Sequence, residues 1–103
     1  MEIESRKKED MLVVGLSGRL DTSTSPQLES FFNENLSGIH KLRISMKDLE
    51  YISSAGLRVL LMAQKKMNVQ GEMTVHYVNE YVMEVFEATG FDSILTIVQN
   101  AES

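Results

Sequence analysis

Leu42-Arg43-Ile44-Ser45-Met46-Lys47-Asp48-Leu49-Glu50-Tyr51-Ile52-Ser53-Ser54-Ala55-Gly56-Leu57 contains a change of hydrophobic period that decides the fold class. Leu42, Ile44 and Met46 alternate with Lys41, Arg43 and Ser45, the pattern of a strand with one buried face, and Asp48 to Ile52 forms its exit. From about Ser54 to Asn68 the period becomes helical. On a wheel turning ~100° per residue, Leu57, Leu60, Leu61, Gln64 and Met67 gather on one side, which predicts that they meet a sheet. Ser54, Arg58, Met62 and Lys65 gather on the other side, and Gly71 stops the helix. A strand that delivers the chain directly into an amphipathic helix is the building unit of an α/β fold.

The flanking sequence extends the same alternation. On the N-terminal side, Glu2 to Arg6 and Met11 to Ser17 are spaced for extended chain and separated by the charged turn Lys7-Lys8-Glu9-Asp10, which predicts a β-hairpin. Thr22 to Ser25 offers N-cap side chains and Pro26 a first helical residue. Leu28, Phe31, Phe32 and Leu36 then form one apolar stripe that ends at Ser37-Gly38. On the C-terminal side, Met73 to Val78 reads as a strand and Asn79 or Glu80 to Thr89 as a helix stopped by Gly90. Ile94 to Val98 reads as an edge-like strand, and Gln99 to Ser103 as a frayed end. Strands separated by helices favour right-handed crossovers. The expectation is a single α/β domain over residues 1–103, with its core from about residue 11 to 98. It has a mixed, mostly parallel sheet, an N-terminal hairpin at one margin and about three to four helices packed on it.

Composition narrows the function. The 103 residues carry a net charge of −5, 43% hydrophobic and 24% charged residues, no Cys and two His. Those fractions are ordinary for a globular chain. The longest apolar runs, such as Val59 to Ala63, fall far short of a membrane span, and the acidic start Met1-Glu2-Ile3-Glu4 is unlike a cationic signal sequence. A cytoplasmic protein without membrane insertion is therefore expected. Net negative charge opposes direct binding to nucleic acid. With no thiols, and with His40 and His76 36 positions apart, neither a metal site nor another cofactor is expected.

Ser53-Ser54-Ala55-Gly56 is the strongest candidate for chemistry, because it lies where a strand gives way to a helix and backbone N–H groups are unpaired. One Ser there is commonly an N-cap. Two Ser followed by small Ala55 and Gly56 exceed what capping needs and leave room for a partner's backbone or a phosphate. The stripe Ser54, Arg58, Met62 and Lys65 reads either as a solvated face with one stray Met or as a protein-recognition surface, since Met adapts its shape and Arg is enriched at interfaces. Asp21 either caps the region from Thr22 to Pro26 or presents a carboxylate to a partner. A hydrolase would need a Gly-x-Ser-x-Gly elbow with a His to activate the Ser, and a nucleotide site a Gly-x-x-x-x-Gly-Lys-Ser/Thr loop; both motifs are absent. An enzyme is not expected.

Leu16-Ser17-Gly18-Arg19-Leu20-Asp21, followed at this distance by Asp48-Leu49-Glu50-Tyr51-Ile52-Ser53-Ser54-Ala55-Gly56-Leu57, combines Gly-x-Leu-Asp with Asp-Leu-x-x-Ile-x-Ser-x-Gly-Leu. With these motifs, the chain from about Leu12 to Val98 resembles the STAS domain family, which includes the anti-sigma factor antagonists and the cytoplasmic domains of sulphate transporters. The resemblance implies a phospho-regulated interaction protein. An unphosphorylated antagonist binds an anti-sigma factor that is also a serine kinase and frees the sigma factor; the kinase phosphorylates a Ser at the helix start, and a serine phosphatase reverses it. Placed on this chain, the phosphoacceptor is Ser54. The family's usual Asp-Ser-Ser/Thr-Gly-Leu becomes Ser53-Ser54-Ala55-Gly56-Leu57, and Arg58 replaces a frequent small residue. The implied partner surface comprises Asp21, Ser53, Ala55, Gly56, Arg58 and Met62, on a chain that is a monomer when free. The same family also contains non-switching subunits and sensor modules of transport or stress-signalling complexes, the alternative reading.

Overall fold

The structure, a computed structural model, describes residues 1–98; Gln99 to Ser103, read above as a frayed end, lie outside the described residues. The elements run β1 (Glu2–Lys8), β2 (Met11–Leu20), α1 (Ser25–Asn35), β3 (Lys41–Ile52), α2 (Ser54–Gln70), β4 (Glu72–His76), α3 (Glu80–Thr89), a 3₁₀ turn (Phe91–Ser93) and β5 (Ile97–Val98). The five strands form one sheet in the order β1-β2-β3-β4-β5. β1 and β2 are the antiparallel hairpin, and every later pair is parallel. This is the mixed, mostly parallel sheet with a marginal hairpin that the alternation of periods predicts.

Alternation places the core on one face. Leu12, Val14 and Leu16 of β2, Leu42, Ile44 and Met46 of β3, and Met73 and Val75 of β4 are buried, while Val13, Gly15, Arg43, Ser45 and Thr74 between them are half-buried or exposed. The helices complete the core with Leu28 and Phe32 of α1, Leu57, Leu60 and Met67 of α2, and Val82 and Phe86 of α3. Burial of apolar surface on this scale is the main favourable term in folding.

β3 departs from simple alternation. Met46, Leu49 and Ile52 are all buried although they are three residues apart, a spacing that a regular strand would turn to alternate faces. Two register slips against β2, between Gly15 and Ser17 and between Gly18 and Arg19, absorb the extra residues. The predicted strand and its exit are therefore one continuous strand, and its far end feeds α2. Gly71, after α2, is fixed by packing: a Cβ there would collide with the His40 backbone, whose carbonyl accepts from Glu72 N at 2.9 Å. Two predicted strands shorten. β4 ends at His76 because Tyr77 turns to φ 59° and Asn79 caps α3. β5 begins only at Ile97 because Leu95 N donates to Phe91 O at 2.8 Å and holds the preceding residues in a turn.

Candidate functional site

The C-terminal ends of β2 and β3 lie side by side, with Leu20 opposite Ile52, and Ser53 N donates to Leu20 O at 2.9 Å. This pairing brings the segments beginning at Asp21 and at Ser53 to one edge of the sheet, each leading into a helix. Asp21, Ser53, Ser54, Ala55 and Arg58 are thus gathered from two separate stretches of sequence.

Asp21 builds the entry to α1. Its Oδ1 accepts from Ser23 N at 3.0 Å, Thr24 N at 3.1 Å and the Ser23 hydroxyl at 2.8 Å, an Asx-type turn. The Ser23 hydroxyl, joined by the N–H groups of Thr24 and Ser23, outweighs partial burial and holds the carboxyl below its ordinary value. Oδ2 lies 3.7 Å from Arg19 Nε. Of the two readings of Asp21, the structure supplies the first: the carboxylate organises the turn. The Asp21 side chain remains 28% exposed.

Ser53 is the N-cap of α2 in extended conformation, its hydroxyl accepting from Gly56 N at a long 3.4 Å. Ser54 is the first residue of the helix. It is exposed, and among the described residues its hydroxyl has no hydrogen-bond partner. The pair therefore divides the work: one Ser caps and its neighbour stands free. Gly56 is buried, and a Cβ on it would lie 2.7 Å from Leu20 Cγ and 3.0 Å from Ile52 Cγ1. Its small size serves the seating of α2 on the ends of β2 and β3, not the approach of a visitor as the sequence suggested.

Between α1 and α2 lies a groove of about 460 Å³ lined by Thr22, Ser25, Pro26 and Glu29 on one side and Ala55, Arg58, Val59 and Met62 on the other. Arg58 and Lys65 are exposed as the wheel predicts. Met62 is not: it is half-buried and packs against the core from the groove wall. Val59 and Ala63 are buried as well, and Leu61 only half-buried. The physical reason is that α1 covers one flank of α2, so the buried arc is rotated and wider than contact with the sheet alone would make it.

One cluster was not singled out from the sequence. Tyr51 stacks on Tyr81 from the first turn of α3, with centroids 6.2 Å apart and planes 19° apart, and the Arg19 guanidinium sits 4.2 Å above the Tyr51 ring. Arg19 thereby links this aromatic pair to Asp21. An aromatic residue at a strand exit was the available signal, but its partner lies 30 positions further on. His40 pairs with Asp10 at 3.0 Å, and His76 with Thr74 at 2.8 Å, so neither ring is brought to Ser54. Among the described residues, no cluster of His, Asp or Glu could hold a metal, and no helix is long and apolar enough to cross a membrane.

Comparison with known proteins extends the resemblance. Residues 2–103 match the STAS domain. BtrV of Bordetella bronchiseptica, provisionally named an anti-sigma factor antagonist, is 34% identical over 105 residues that span 100% of this chain and 90% of BtrV. The anti-sigma F factor antagonist of Paenibacillus polymyxa is 32% identical over 97% of this chain and 88% of its own length. Among solved structures, the Bacillus cell fate determinant SpoIIAA in its phosphorylated form superposes with a TM-score of 0.77 over 98% of this chain and 93% of SpoIIAA, at 15% identity, a likeness of fold.

Proposed function

The chain belongs to the STAS domain family, and we propose that within it the protein is an anti-sigma factor antagonist switched by phosphorylation of Ser54. The observation that carries this reading is the free, exposed hydroxyl of Ser54 beside a Ser53 that already caps the helix. The two relatives named as anti-sigma factor antagonists, each matched over most of its length, support it. In the unmodified state the edge carrying Asp21, Ser53, Ala55, Arg58 and Met62 is the partner surface, and the partner is an anti-sigma factor with serine kinase activity. Gly56 supports that edge from beneath.

The kinase carries out the chemistry. The Ser54 oxygen attacks the γ-phosphorus of ATP, the new O–P bond forms as the bond to the β,γ-bridging oxygen breaks, ADP leaves, and the hydroxyl proton passes to the kinase's base. A serine phosphatase returns the hydroxyl by delivering water to phosphorus and releasing inorganic phosphate. The product carries about −1.5 to −2 charges on the first residue of α2, and a helix N-terminus tolerates anions. The same charge and bulk, placed where a partner backbone must approach, expel the partner without refolding the domain. Incubating the chain with the kinase captured by pull-down and with ATP, followed by peptide fragmentation in a mass spectrometer, should place one phosphate on Ser54. A phosphate on Ser53, or undiminished labelling of Ser54→Ala, would overturn this reading.

A further inference from the structure

Ser54 and Arg58 sit at positions i and i+4 of α2, both on its exposed face. Residues so spaced are neighbours one turn apart, with Cβ atoms ~5–6 Å from each other. Helical side chains also lean toward the helix N-terminus, so a long side chain at position 58 covers the turn that begins with Ser54. The Arg58 guanidinium is uncommitted. Among the described residues it pairs with no carboxylate, although Glu29 lines the same groove, and the first turn of α2 holds no acidic side chain to compete for it.

The geometry points to Arg58 as a clamp for the phosphate on Ser54: its guanidinium donates to the phosphoryl oxygens and leaves the wall of the groove between α1 and α2. This rests on Ser54 being the phosphoacceptor. A guanidinium presents a planar fork of N–H donors suited to bidentate pairing with phosphate. Phosphorylation then changes two features of the surface at once. It adds negative charge at the edge and withdraws a cation from the groove, so a partner that used Arg58 loses that contact when Ser54 is modified. The clamp also shields the phosphate ester, which makes Arg58 a determinant of how readily a phosphatase reaches it.

The test installs phosphoserine at position 54 during translation, so that no kinase is involved, and follows the ³¹P resonance through a pH titration at low salt. Arg58 favours the dianion, so the second ionisation constant of the phosphate should be about two- to fivefold larger in the Arg58 protein than in Arg58→Gln, with Arg58→Lys between them. The difference should shrink in ~1 M salt, where exposed charges are screened. In the unaltered sequence, the Arg58 Nε–H resonance should move when Ser54 is phosphorylated, a readout that needs no variant. Equal ionisation in Arg58 and Arg58→Gln proteins, or an unmoved Nε–H signal, overturns the clamp while leaving Ser54 as the acceptor. A kinase that modifies another residue overturns the proposed function while leaving the ionisation shift intact.

Discussion

The starts of α1 and α2 stand side by side at the same edge of the sheet and treat their hydroxyls in opposite ways. At α1, the Thr24 hydroxyl donates to Arg19 O at 2.8 Å and accepts from Asp21 N at 2.8 Å, and the Ser25 hydroxyl donates to Asp21 O at 2.6 Å. Asp21 accepts from most of the remaining donors. At α2, Ser53 makes one long contact and Ser54 makes none within the described residues. Local sequence composition is similar in the two places, Thr22-Ser23-Thr24-Ser25 against Ser53-Ser54. What separates a structural hydroxyl from an available one is whether the fold has already supplied its partner. Buried or turn-forming polar groups are nearly all satisfied, so an exposed hydroxyl left alone at a helix start is free to be modified without loss of stability.

That contrast breaks most severely if the shared foundation is removed. Leu60 is fully buried under α2, and Leu60→Ala should cost ~2 to 5 kcal/mol through lost burial and a cavity, weakening both helix starts together. Urea melts measure it. A smaller, more local blow comes from Gly56→Ala. The added methyl meets Leu20 and Ile52 and should cost ~1 to 3 kcal/mol by overpacking, lifting the first turn of α2 while leaving the Asp21 turn in place. Amide exchange distinguishes the two helix starts. Equal loss of protection at both, or none at all, would contradict the account of Gly56 as the seat of α2.

Asp21→Asn probes the other side of the contrast. The Asp21 carboxyl titrates below its ordinary value of 3.8 in the fold, so its charged form is favoured by folding. That contribution is fully present above the unfolded value and is lost as the pH falls through the lowered folded value. Wild type should therefore melt above Asp21→Asn at neutral pH, and the gap should close below pH 3.8. A gap independent of pH would mean that the turn depends on the shape of the side chain and not on its charge.

Much of this arrangement was legible in the sequence, for identifiable reasons. The period change at Ile52–Ser54 located β3 and α2, because one buried face per strand and one apolar stripe per helix are dictated by geometry. The stop at Gly90, left-handed at the end of α3, was equally local, whereas Gly71 marked the end of α2 in the right place for a reason that is not local, the close approach of the His40 backbone. What escaped was relational. The register slips that bury Met46, Leu49 and Ile52 depend on pairing with β2; the half-burial of Met62 depends on α1 lying along α2; and Tyr51 meets Tyr81 only after the chain has returned through β4. Gly56 was legible as small but not as to what its smallness served. Ser53 and Ser54 could not be told apart by spacing alone, and the carbonyl of Leu20, which holds Ser53 in extended conformation, is what separates them.

The smallest expected effect on stability is the one that sharpens the contrast furthest. Ser54 contributes no hydrogen bond within the described residues and projects into solvent, so Ser54→Asp should keep folding free energy within ~0.5 kcal/mol of the parent, the range usual for surface changes, with the helix N-terminus favouring the new charge slightly. Binding should respond differently. If the proposed partner surface is right, a carboxylate at the first residue of α2 stands where the anti-sigma factor approaches, and like a phosphate it brings negative charge to a desolvating contact. Thermal melts and calorimetric titrations against the captured partner, run on Ser54→Asp and Ser54→Ala, separate the two quantities. Ser54→Asp should bind more weakly than Ser54→Ala while both melt like the parent. If stability and affinity fall together in Ser54→Asp, the hydroxyl is part of the scaffold after all, and the distinction between the two helix starts disappears with it.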